Sequence, residues 1–143
     1  MVEFAKHLEI EVDDTWESPV EIVIEDFVLT FAEFNRTEKE ELLMYASLGV
    51  VPEDRELEIY RGLLEANVLW SGTADATLGV NSATREVIIA YRVPMEGLTG
   101  EILTLTASYF SAVAMSWYAF VAGELDESEP IDFEAEMAGV LRV

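Results

Sequence analysis

His7 is the single histidine of the chain, and it stands between Glu3 and Glu11, each four residues away. On a helix that spacing puts an imidazole and two carboxylates on one face, which could hold a metal ion weakly. A protein metal site normally gathers three or four ligands held by further hydrogen bonds. The reading adopted is therefore an exposed histidine among acids, with no metal and no cofactor expected. Nucleophilic chemistry finds no better support. A serine–histidine–acid triad can be drawn on paper, but no nucleophile-elbow motif is present. Gly72, Thr73 and Gly79 do not make a phosphate loop, because the GxxxxGK[ST] pattern is missing. No EF-hand spacing occurs. With 29 acidic residues some carboxylates fall close together by number alone, so paired acids do not point to acid–base catalysis. No catalytic residue is assigned and no enzymatic activity is expected.

Composition narrows the partners. The chain has 143 residues, a length that suits one domain, and a formal net charge of −21. A surface so acidic repels nucleic-acid phosphates and anionic lipid, and favours basic or apolar protein segments. There is no cysteine, which excludes disulfides and thiolate metal sites and suits a reducing cytosol. Residues 1–10 lack a basic segment followed by an apolar run, so no secretory signal is expected. Residues 102–122 are uncharged and long enough to cross a bilayer. Their flanks are Glu101 on one side and Glu124, Asp126 and Glu127 on the other, with no nearby Lys or Arg to set an orientation. A soluble helix covered on both sides is expected, with no membrane contact.

The elements that would position any site follow from periodicity. Residues 2–8 suit a short helix. Residues 20–31 are rich in β-branched and aromatic side chains and suggest two strands broken at Glu25-Asp26. Val20, Ile22 and Ile24 share one face and Val23 the other; Phe27, Leu29 and Phe31 then oppose Val28. Apolar side chains on both faces suit either a fully covered sheet or a partner-binding patch. Residues 41–49 read as a third strand. Pro52 opens a helix with Glu53 and Asp54 in its first turn, where negative charge suits the helix dipole. Leu57, Tyr60, Leu63, Leu64 and Asn67 recur along it at helical spacing, and Gly72 marks the exit. Residues 75–80 and 84–93 flank a turn at Asn81-Ser82-Ala83, with Val87, Ile89 and Tyr91 on one face of the second strand. Thr99 caps the long helix. On its wheel Ile102, Tyr109, Phe110, Val113, Trp117 and Phe120 are expected against the sheet, with Thr104, Ser108, Ser111 and Met115 opposite. Trp16, Trp70 and Trp117 are read as core or interface residues. The result is an α+β fold with a mostly antiparallel sheet, in the order α-β-β-β-α-β-β-α plus a C-terminal tail. Residues 1–123 form the domain. Residues 124–143 form an acidic linker and tail, whose Phe133, Met137, Val140 and Leu141 could dock on the long helix.

Residues 62–117 carry a resemblance. A helix ending in LLEAN (63–67), an exit at Gly72, ATLGVN (76–81), a hairpin, a strand ending at Arg92-Val93-Pro94 and a long helix with Phe110 and Trp117 resemble the class I type III secretion chaperones of the Tir chaperone (CesT) family. YASLGVVPED (45–54) is similar to the strand-to-helix passage before them. The resemblance implies a small, acidic, cytoplasmic homodimer without enzymatic activity. Such a protein binds the extended N-terminal segment of a secreted effector and keeps it soluble and competent for export. It also implies a cargo groove on the first helix and first three strands, here Phe4, Leu8, Val20, Ile22, Ile24, Phe27, Leu29, Phe31, Leu43 and Tyr45. It implies a dimer interface on the second helix, here Tyr60, Leu63, Leu64, Asn67 and Val68. The chain departs from the family in a shorter segment before Asp13 and in its continuation past the long helix. Two other classes fit the bare composition: a small-ligand or enzymatic α+β domain, and an acidic nucleic-acid mimic that inhibits a basic protein.

Overall fold

The computed structural model describes residues 19–24, 26–34 and 40–124. Strands β1 (Val20–Ile24), β2 (Phe27–Phe34) and β3 (Glu41–Val50) precede helix α1 (Glu56–Asn67). Strands β4 (Thr77–Val80) and β5 (Glu86–Pro94) follow, and helix α2 (Gly100–Ala122) is the last described element. The five strands form one antiparallel sheet in the order β1-β2-β3-β5-β4. The expected α+β class and the order from the first strand onward agree with this arrangement. The expected helix at 2–8, the tail at 125–143, Trp16 and the His7 cluster lie outside the described residues.

Strand alternation makes one face of the sheet apolar. Ile22, Leu29, Ala46, Ile89 and Leu78 pair successively across all five strands, and a parallel row runs Val20, Phe31, Met44, Tyr91. Both helices cover this face. Leu103, Ala107, Phe110, Ala114, Trp117 and Val121 are buried at spacings of four and three residues, the stripe a core-facing helix needs. The expected stripe holds at Phe110, Val113, Trp117 and Phe120, all buried, and is corrected at two positions. Ile102 is exposed, while Ser111 is buried and donates its hydroxyl to the Ala107 carbonyl at 2.7 Å. The bond back to the preceding turn removes the penalty of burying a hydroxyl, so polarity alone does not assign Ser111 to solvent. By length and composition α2 could cross a membrane; here its apolar stripe is the core of the domain.

Local chemistry sets the boundaries. Gly49 (φ 102) supports the irregularity where β3 slips register between Ser47 and Val50. Pro52 stands in extended conformation just before a single 3-10 turn, Glu53–Arg55, rather than inside the helix. Thr99 accepts the Ile102 N–H, the expected cap. At the far end Gly123 (φ 82) and Glu124 donate to Phe120 and Ala119, closing a Schellman motif. The helices meet at Gly62, where a Cβ would lie 2.7 Å from the Phe120 ring. Only glycine allows that approach. The Trp117 indole donates to the Gly72 carbonyl at 2.9 Å, tying α2 to the loop after α1.

Candidate functional site

The ten side chains expected to bind cargo do not share one surface. Phe4 and Leu8 lie outside the described residues. Phe27, Leu29 and Phe31 are in the core, at most 5% exposed, because their strand face is the one the helices cover. In this conformation they carry the fold and are closed to a partner. Val20, Ile22 and Ile24 point the same way but are only half-buried, since β1 is the outermost strand. Leu43 and Tyr45 sit on the opposite face of the sheet, also half-buried. Val23 and Val28 pair across β1 and β2 on that opposite face and are exposed, Val23 by 76%. The accessible part of the predicted region is therefore the β1 edge. It presents half-covered apolar side chains on one face, an exposed valine on the other, and a backbone edge that no strand among the described residues occupies.

The residues expected at a subunit contact also divide. Leu63 is buried against the chain's own core. Asn67 is engaged at β4: its Nδ2 donates to the Leu78 carbonyl at 2.8 Å and its Oδ1 accepts the Leu78 N–H at 3.0 Å. A side-chain amide thus takes the place of a neighbouring strand at the outer edge of β4. Leu64 and Val68 are exposed, by 69% and 61%, and Tyr60 is half-buried. Tyr60 lies on the same helical stripe, and its hydroxyl is held above the ordinary phenol value by desolvation and by the Glu56 carboxylate beside it.

Leu57, Leu69 and Trp70 are exposed as well, and for Trp70 this agrees with the interface rather than the core alternative. Leu57 is 81% exposed and Leu69 84%. Leu69 (φ 51) and Trp70 (φ 55) are consecutive left-handed residues with large side chains. That conformation costs roughly 1–2 kcal/mol per residue outside glycine. The signal available in the sequence was an apolar Val68-Leu69-Trp70 run at a helix exit, where turn residues are usual.

No group of three metal-ligating side chains is gathered among the described residues. The exposed surfaces described above are apolar: a sheet edge at β1 and a helix stripe on α1. A five-stranded antiparallel sheet with both described helices on one face makes this an α+β domain.

Residues 2–118 match the Tir chaperone protein (CesT) family. The chain belongs to that family. Among solved structures, a chain of the heterodimeric ExoU–SpcU complex from the type III secretion system of Pseudomonas aeruginosa aligns with a TM-score of 0.64 at 15% identity, covering 90% of this chain and 100% of that one. A chain of the ExsC–ExsE complex aligns at 0.66 and 23% identity, covering 83% and 88%. A chain of the HopA1–SchA chaperone–effector complex aligns at 0.57 and 19% identity, covering 82% and 86%. At these identities the likeness is one of fold. A search of curated proteins finds no match.

Proposed function

We propose that this protein is a cytoplasmic type III secretion chaperone that binds an extended N-terminal segment of a secreted effector. The carrying observation is the β1 edge. An extended segment can add to it through main-chain hydrogen bonds, while alternate side chains settle on Val20, Ile22 and Ile24 or on Val23. Such a surface reads hydrophobic alternation rather than a fixed sequence, which suits holding a segment unfolded. The net charge of −21 disfavours a nucleic-acid partner and keeps the loaded chaperone soluble. Family membership, and the HopA1–SchA structure being a chaperone–effector complex, support the same reading.

The protein acts as a homodimer through α1. Leu57, Leu64, Val68, Leu69 and Trp70 supply apolar area that a second copy can bury isologously. The strain at Leu69 and Trp70 is offset when their side chains enter the partner protomer.

The test of the chaperone role is co-purification from the native host at 150 mM salt, followed by truncation of the captured protein. A secreted protein that is captured through its N-terminal region, and lost when that region is removed, is the expected result. Capture of a nucleic-acid-binding protein that dissociates as salt rises would instead establish an acidic mimic and overturn the proposal.

A further inference from the structure

Helix α2 leaves one side uncovered. Its inward stripe is core, but Ile102, Leu105 and Met115 on the outer side are 48%, 49% and 38% exposed. A solvent-facing helix side ordinarily carries charged residues. Here Glu101 is the only charged residue between Gly100 and Ala122, in a chain with 29 acidic and 8 basic ones. The hydroxyls along this side do not offer it hydrogen-bond donors. Thr104, Thr106, Ser108 and Ser116 each donate to the carbonyl four residues earlier, at 2.8, 2.7, 2.9 and 3.3 Å. A hydroxyl has one proton, so none is left to point outward. An uncharged apolar strip on so acidic a protein marks a contact surface.

The chain itself carries a segment that matches. Gly123 (φ 82) turns the chain out of α2, and the Glu124 N–H bonds back to the Ala119 carbonyl. Residues 125–143 follow from that point. In a helix Phe133, Met137, Val140 and Leu141 share one face. The stretch 124–132 spans at most about 30 Å, and α2 from Ala122 to Ile102 is about 30 Å long, so Phe133 can reach any part of the uncovered side. As a helix, residues 133–141 cover about 12 Å, close to the roughly 15 Å between Leu105 and Met115. Charge sets the direction. Arg142 is the only basic residue after Arg92. Run antiparallel to α2, the segment brings Arg142 to the Glu101 end. Run parallel, it brings Arg142 to the other end, whose Phe120 and Val121 carbonyls Arg55 already takes. We propose that residues 133–141 lie antiparallel on the outer side of α2, with Phe133 toward Met115, Leu141 toward Leu105 and Arg142 paired with Glu101. A separate molecule fits less well. Three half-exposed side chains fall well short of the roughly 1,200–2,000 Å² that a stable interface between molecules buries. A tethered segment docks at an effective concentration of the order of millimolar and needs far less area. The contact leaves the β1 edge and α1 open and stands whether or not the chaperone reading holds.

The experiment uses the full chain, whose lack of cysteine lets a single one be introduced for a spin label. Val143→Cys carries the label, and amide NMR at low salt and pH 7 reads which residues it broadens. Selective loss of the amide signals of residues 101–106, with those of 115–122 kept, is the expected result. An undocked label would act most strongly near Glu124, where the segment is attached, and a parallel segment would act on residues 115–122. Either pattern would overturn the proposal. Leu105→Asp and Met137→Asp, each in the labelled chain, put a charge into the contact and should restore the signals of 101–106. Leu105 is half-exposed, so the first variant keeps the domain folded, and unchanged signals from β2–β5 check that. Arg142→Glu should weaken docking about fivefold at low salt, the upper range for an exposed ion pair, and less as salt rises. Adding Glu101→Arg to Arg142→Glu should recover it. Broadening of 101–106 that survives both aspartate variants would show that the apolar contact is not what holds the segment, and the proposal fails. A last sample mixes spin-labelled chain lacking isotope with isotope-labelled chain lacking the spin label. Broadening of 101–106 there would assign the docked segment to a second copy and overturn docking within one chain.

Discussion

Arg55 joins more of the molecule than any other single side chain described here. Its guanidinium donates to both Glu58 oxygens at 3.1 Å and to the Val121 and Phe120 carbonyls at 2.9 and 3.0 Å. Helix α2 has no basic residue in its last turn. Arg55 supplies that charge from another element, where the helix dipole and the unpaired carbonyls favour a cation. Glu58 orients Arg55, and the bond from Arg55 holds the Glu58 carboxyl below its ordinary value of 4.5. A carboxyl depressed in the folded state stabilises the fold above its unfolded pKa, and that contribution is lost as pH falls through the folded value. Glu58→Gln should therefore lower the urea midpoint at pH 7 and have little effect near about pH 3. An equal loss at both values would show that the ionised pair is not what stabilises this corner.

Among the elements, β4 depends most on a single contact. It has four residues, lies at the sheet edge and pairs with a strand only on its β5 side. Asn67 closes the other side with two hydrogen bonds to Leu78. Asn67→Ala removes both and uncovers a strand edge, at a cost of about 1–2 kcal/mol. Urea unfolding should show that loss, and light scattering should show increased self-association. A variant as stable and as monodisperse as the parent would mean that water replaces the amide without penalty.

For the whole molecule the open matter is assembly, and burial separates two neighbouring leucines. Leu63 is 4% exposed, so a charge there disrupts the protomer itself and says little about a partner. Leu64 is 69% exposed, so Leu64→Glu leaves the protomer folded and puts a charge into the proposed contact. Light scattering at micromolar concentration should give twice the 16.0 kDa chain mass for the parent and 16.0 kDa for Leu64→Glu. A parent that scatters as a monomer would remove α1 as a dimer interface.

Much of this architecture was legible in the residues themselves. The alternation in residues 20–31, the helical spacing of Leu57, Tyr60, Leu63, Leu64 and Asn67, the proline before α1 and the cap at Thr99 are local patterns, and local sterics and hydrogen bonding make them into elements, although the face of α1 that is buried is Ile59, Leu63 and Ala66. The five strands, both described helices and the family resemblance were therefore within reach. Which faces stay open was not. Phe27, Leu29 and Phe31 alternate as a binding strand would, yet they are buried in the core; Val20, Ile22 and Ile24 alternate in the same way and stay half-open because the sheet ends at β1. Ser111 is polar and buried, Ile102 apolar and exposed, because the helix turns its face to the sheet as a whole and a hydroxyl can bond its own preceding turn. Asn67 looked like an interface residue until the fold brought Leu78 to it. Thr73 is an ordinary loop threonine in sequence, and only the closing of α2 over β5 and the loop leaves its hydroxyl buried and unpaired. Residue type and spacing determine what an element is; solvent access depends on contacts between elements distant in the chain, and only the tertiary structure decides those.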